Sequence, residues 1–432
     1  MNKLSGILLV LFAVCSPLSR PAAAENRTLT LNEAVQLALE RSPDVLLTES
    51  QTQRAEAALK ETRSLNLPKA AVGAGAAYNN GFPLSIEGSA PSIFKFEASQ
   101  PVFSAQNKNL IREAGESVKA GRLGSDISRN ELAAKVALVY AQLDQARKIE
   151  ALARERLDAA EKQRSFTEIL VKDGRARPID AATAKAAVTA AKHQIFTARE
   201  QADAAEAELR ELTGLSEDIS IQTVAPIMES PVYAMEVDAL FQKTAADSPE
   251  IQQAEAKIRA KEFHVMAEKA ARHPRLAAVA EYSLLSRSNN YEDFYHNFER
   301  HNYLIGISAQ VPLDVFKTNA RVAKSRVEVS EEQYRLQSLK SDLKINIRKA
   351  LSVLRIAQNA LDVAQSDLEV AREMIPVNSV LLENGRISEK EMEESRLRLR
   401  EKELAALEAE HALFQRKLEL LRVTGSVLTA FQ

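Results

Sequence analysis

Few residues in this 432-residue chain have the types and spacing that covalent or metal chemistry needs. Cysteine occurs once, at Cys15, so neither a disulfide within the chain nor a thiolate metal site can form. There is no HExxH, P-loop or GxSxG element, and Gly73 and Gly75 mimic only part of a dinucleotide fingerprint, inside a stretch with strand periodicity. His296 and His301, with Asp293 and Glu299, have donors for a metal ion, but their spacing matches no recognised ligand pattern and reads as a polar, aromatic loop. His193, His264, His273 and His411 stand alone on helical stretches, and the six methionines form no ladder for a soft metal. What remains is charge. Residues 389–403 carry Glu and Arg at helical spacing, Glu391 and Glu394 among them, which suits a solvated helix face or an ion-attracting wall. No catalytic group and no cofactor is expected.

The elements that position these charges are long helices. Ala, Leu, Glu, Lys and Arg supply about half of the chain, Trp is absent, and Gly and Pro number only 13 and 14. A formal charge of −2 gives no attraction to nucleic acid, and 45% hydrophobic residues argue against disorder. At the start, Lys3 precedes a short apolar run, 7–14, and Ala22-Ala23-Ala24 then offers small residues for cleavage, so residues 1–24 read as a secretory signal peptide. Beyond residue 24 no stretch is apolar enough for a transmembrane helix.

Landmarks recur in the same order about 206 to 211 residues apart. Ser42-Pro43-Asp44 returns as Ser248-Pro249-Glu250, and Gln100-Pro101 as Gln310-Val311. Leu170 to Arg175 returns as Leu381 to Arg386, and Leu212-Thr213-Gly214 as Val423-Thr424-Gly425. A tandem duplication follows, with repeats at 25–235 and 236–432. Each copy opens a helix with Ser as N-cap and Pro at its first position. The period then changes to two, which predicts a hairpin at about 69–103 and another at about 274–313, with strands of bilayer-crossing length. These hairpins hold half of the aromatics, as an interfacial girdle would.

Long helices are expected at about 104–172 and 314–384. In the second, Val322, Leu343, Ala350, Ala357 and Ala364 form one seven-residue row and Ile347, Leu354, Leu361 and Leu368 another, read as two packed faces with a neighbour on each side. Pro376 is expected to kink that helix. Reversals at 173–178 and 385–388, with Gly174 and Gly385 as left-handed caps, lead into helices at 179–213 and 388–424, and 214–235 connects the halves. Ser388 and Glu391 form a capping box. The fold class is mainly α with a small β part. Four strands cannot close a barrel, so several chains must combine.

This duplicated order behind a signal peptide resembles the TolC family of outer-membrane efflux proteins over nearly all of 25–432. The resemblance implies a homotrimer whose long antiparallel helices form an α-barrel in the periplasm and whose hairpins contribute to a twelve-stranded β-barrel in outer-membrane lipid. It implies an exit duct of a tripartite efflux or type I secretion system in a Gram-negative cell. A periplasmic adaptor and an inner-membrane transporter, of RND or ABC type, would be its partners. Gly174, Arg175, Gly385 and Arg386 would then sit at periplasmic tips that contact the adaptor, and Glu391, Glu394 and Asp180 would form an acidic ring at the narrow entrance. The family's arginine two residues after the Gly is Ile387 here, so its salt-bridge lock is not expected. A periplasmic adaptor would instead need flanking β-rich domains, and a structural coiled coil would not need two hairpins.

Overall fold

The computed structural model describes residues 25–75, 92–226, 228, 233, 235–285 and 299–431. The leader 1–24 and the candidate metal donors Asp293 and His296 lie outside them. In chain order, β1 (Glu25–Leu29), α1 (Leu31–Arg41) and α2 (Pro43–Ser64) lead to β2 (Lys69–Ala74) and β3 (Ser92–Phe103). Next come α3 (Ala105–Lys172), α4 (Pro178–Thr213) and β4 (Ile219–Thr223). The order then returns as α5 (Val237–Asp247), α6 (Pro249–Ala270), β5 (Arg275–Leu285), β6 (His301–Gln310), α7 (Val315–Glu383) and α8 (Glu389–Val423), with a short α9 (Val427–Ala430) last.

Local chemistry fixes the ends of these helices. The Ser42 hydroxyl accepts from the Asp44 N–H at 3.3 Å, the Ser248 hydroxyl accepts from the Ile251 N–H at 3.3 Å, and a Pro follows each. Gly174 and Gly385, at φ 70° and 67°, let the Arg175 and Arg386 N–H groups each donate back to the Leu170 and Leu381 carbonyls at 2.8 Å. Between caps, α3 and α7 run 68 and 69 residues, about 100 Å each. Gly115, Gly121 and Gly124 stay inside α3, and Pro376 stays inside α7. Gly124 admits a close neighbour, since a Cβ there would lie 2.7 Å from the Gln253 Nε2 of α6.

Each short helix covers half of a long one. Helix α3 meets α2 through Ser128 and Thr48, α6 through Glu116 and Arg259, α4 through Arg147 and Glu206, and α8 through Glu155 and Arg400. It therefore has neighbours on both sides. Among the described residues helix α7 has only α6 and α8 packed along it, with α5 across its middle. The expectation that its two seven-residue rows serve two faces is corrected here. Ile347, Ala350, Leu354, Ala357 and Leu361 are all buried in contact with α5 and α8, because rows three and four residues apart form one seam. The opposite side carries a further row, Ile356, Val363, Val370 and Val377, each more than half exposed.

The main core lies midway along α3. Leu29 of β1 and Ile221 of β4, from two strands that pair in parallel, bury against Val136, Tyr140 and Leu143, with Leu209, Leu421 and Val427 around them. Tyr140 is fully buried, and its hydroxyl accepts from the Val224 N–H at 2.7 Å and donates to the Leu29 carbonyl at 2.7 Å. This parallel pair joins the first strand to the connector across nearly two hundred residues, and no local pattern announces it. The four-stranded sheet has the order β2-β3-β5-β6, antiparallel throughout, which among the described residues leaves β2 and β6 as open edges.

Candidate functional site

Strand alternation gives the sheet two unlike faces. One register row reads Val72, Phe96, Tyr282 and Tyr303, the next Ala74, Phe94, Leu284 and His301, and a third Ala70, Ala98, Ala280 and Ile305. This face is apolar and bare: Ile305 is 86% exposed and Tyr303 75%. A single soluble sheet would bury such a face, so these side chains have an apolar environment outside the chain. The Phe94 and Tyr282 rings lie 6.1 Å apart, and the Tyr282 hydroxyl meets His301 Nδ1 at 2.8 Å. His301 is thereby placed on the strand face, and among the described residues no cluster of metal donors occurs.

The opposite face is mostly polar, with Val279 and Leu304 among its apolar members. Lys95 lies beside Glu97 and reaches Glu281 at 3.2 Å, and Ser99, Ser283, Asn302 and Ser308 share this face. Apolar outside and polar inside is the division needed by a strand wall between lipid and water. No helix among the described residues is long and apolar enough to cross a membrane.

At the far end of the long helices the two reversals are equivalent in build. After Gly174, Arg177 takes the cap position, and the Asp180 carboxylate accepts from its N–H at 3.0 Å and from its guanidinium at 3.1 Å. After Gly385, the Glu391 carboxylate accepts from the Ser388 N–H at 2.7 Å and from its hydroxyl at 2.9 Å. The Arg177 bonds hold the Asp180 carboxyl below its ordinary value, and the Ser388 bonds do so for Glu391. Both acids are therefore ionised helix caps at neutral pH. The capping box at Ser388 was legible in sequence; the one at Arg177 was not, because arginine is not a usual cap residue. Glu394 lies 3.8 Å from Lys390. Arg175 and Arg386 are exposed, and among the described residues neither is in an ion pair.

Seven-residue columns show where these acids look. Asp180 shares a column of α4 with Ala187, Gln194, Gln201 and Glu208, and Glu394 one of α8 with Glu401. Gln194 and Glu401 both meet Arg156 of α3, at 3.1 Å and 3.5 Å. Arg156 lies on the side of α3 turned away from Tyr140 and the core layer under β1 and β4. Asp180 and Glu394 thus share the face opposite that layer. On the same face Gln142, Gln145, Gln201, Glu208, His411 and Gln415 line a cleft, where burial lowers the affinity of the His411 imidazole for a proton. Isolated residues gave no hint of this cleft; column spacing in α4 would have found part of it.

The family model described as outer membrane efflux protein matches residues 34–215 and again 240–426. The chain belongs to the outer membrane efflux protein family. It is accordingly an efflux channel, the exit duct of a tripartite system and not an enzyme, and the two matches coincide with the two runs of elements. Solved structures agree with the fold. The Campylobacter jejuni CmeC outer membrane channel is 17% identical, covers 92% of this chain and 85% of its own, and has a TM-score of 0.74. The Vibrio cholerae outer membrane protein VceC is 14% identical over 91% of this chain and 96% of its own, with a TM-score of 0.75. The open-state Neisseria gonorrhoeae MtrE outer membrane channel is 16% identical over 92% and 89%, with a TM-score of 0.72. Among curated proteins none matches the chain significantly.

Proposed function

We propose that three copies of this efflux protein close into one conduit, a twelve-stranded β-barrel in the outer membrane continued by a helical tube across the periplasm. One observation carries the reading: helix α3 has neighbours on both sides, whereas its counterpart α7 lacks the second pair. The next copy supplies that pair through its α2 and α4, as α6 and α8 do for α3 within the chain. The open edges β2 and β6 call for the same partner, because an unpaired edge in lipid leaves backbone groups unbonded at several kcal/mol each. Charge at the mid-height fits as well. Lys340, Lys344 and Arg348 line a groove on α7, and Asp44, Glu208, Glu211 and Glu217, which outnumber Lys135 and Arg210 there, line another beside α2 and α4.

The polar sheet face and the inner helix columns then form the wall of the duct. At the periplasmic tips Gly174, Arg175, Gly385 and Arg386 meet an adaptor protein, through which an RND or ABC type transporter of the inner membrane delivers cargo. Asp180, Glu391 and Glu394, repeated around the axis, form an acidic ring that concentrates cations at the entrance. Fractionation tests the assembly. A heat-modifiable trimer in the outer-membrane fraction is expected, and a soluble periplasmic monomer would overturn the reading.

A further inference from the structure

The junction between sheet and helices is charged with one sign. In a chain with 57 basic and 59 acidic residues, the four segments 63–69, 101–112, 269–275 and 310–321 carry nine Lys or Arg and one acid, Asp314. These segments hold the ends of α2 and α6, the lower ends of β2, β3, β5 and β6, and the starts of α3 and α7. Leu67, Phe103, Leu313 and Phe316 crown them and are bare, Phe316 at 90% exposure.

The cations divide by direction. Lys69 and Arg275, equivalent positions in the two halves, lie on the polar sheet face with Glu97 and Glu281. Lys108 and Arg112 instead precede Val136 and Tyr140 by four seven-residue steps, so they share the side of α3 that carries the outer core layer. Arg63 is one step beyond Glu56, which pairs with Arg122 on that same side, and Lys269 is the counterpart of Arg63 in the second half. All four are exposed, and among the described residues none has a carboxylate partner; Arg112 rests 5.6 Å from the Phe263 ring.

We propose that Arg63, Lys108, Arg112 and Lys269 bind the phosphate headgroups of anionic phospholipids in the leaflet nearest the helices, directly below the apolar crown. The proposal rests on the outer-membrane reading and adds a lipid class to it. An apolar belt with unpaired cations one to two turns below it matches the vertical order of acyl chain and anionic headgroup. Four surface cations per chain are enough for a preference of tenfold or more.

The full chain, purified in detergent and exposed to equal phosphatidylglycerol and phosphatidylethanolamine, is expected to retain the anionic lipid about tenfold over the zwitterionic one. Changing Arg63, Lys108, Arg112 and Lys269 to Gln together should bring retention near parity, while Lys69→Gln with Arg275→Gln should leave the preference intact. Equal retention by the unaltered protein, an unchanged preference in the fourfold variant, or an equal loss in the twofold variant would overturn the proposal. If the fourfold variant fails to assemble, a salt series on the unaltered protein decides: retention that does not fall between about 0.05 and 0.5 M salt overturns it. Planar-bilayer conductance separates the two readings. Channels without lipid preference defeat only the headgroup site, whereas absence of channels defeats the membrane reading beneath it.

Discussion

Asp180 and Glu391 serve two ends with one carboxylate each, since an ionised cap satisfies backbone donors and also presents negative charge to the tip. Their folded pKa values lie below the ordinary 3.8 and 4.5. Capping stability is therefore complete above the unfolded values and is lost only as pH falls through the lower folded ones. Cation block of single channels should accordingly be the same at pH 7 and pH 5, and a decline over that interval would argue against these groups. Glu391→Ala with Glu394→Ala should weaken the block in planar bilayers; unchanged block removes the ring. Tyr140 is the other informative residue. Tyr140→Phe strands the Leu29 carbonyl and the Val224 N–H in the core, so a loss of about 1–3 kcal/mol is expected in thermal or denaturant unfolding.

At the scale of elements the duplication acts as a template. Gln253 of α6 packs against Gly124 of α3, and the corresponding positions are Leu47 on α2 and Tyr334 on α7. Both are bare in the single chain, at 60% and 71% exposure. Two exposed apolar residues at equivalent points of one contact are what a neighbouring copy would cover. Leu47→Cys with Tyr334→Cys should therefore give disulfide-linked dimers and trimers on oxidation, read on a non-reducing gel, and neither single variant should. Cys15 is the chain's one cysteine, so at most one native thiol competes with the introduced pair. Monomers only, under conditions that oxidise free thiols, would place these faces apart.

For the whole molecule the features combine vertically. In the proposed trimer an apolar band of strands stands over a cationic belt, a helical tube follows, and acidic tips end it. A net charge of −2 conceals this separation of signs, which in the proposed assembly would give each level a different neighbour: acyl chains, headgroups, water and the adaptor. The strands of β5 span roughly 28 Å at a barrel tilt, close to the height of a bilayer's apolar core. Length thus agrees with exposure in assigning that level to lipid.

The duplicated order, the helix lengths, the Gly reversals and the strand alternation were set by the sequence, because they depend on local rules: caps, periods of 2 and 3.6, and the freedom of glycine at positive φ. So was the capping box at Ser388. Only the tertiary structure decided which side of α7 was packed, since rows three and four residues apart read alike whether one neighbour or two are present. It alone joined β1 to β4 and set Tyr140 between them, because such pairing depends on chain ends brought together from far apart. The belt of cations was likewise present in the letters, but scattered over four segments. Folding gathered it to one height, and the side of α3 that carries the core layer gave it a direction.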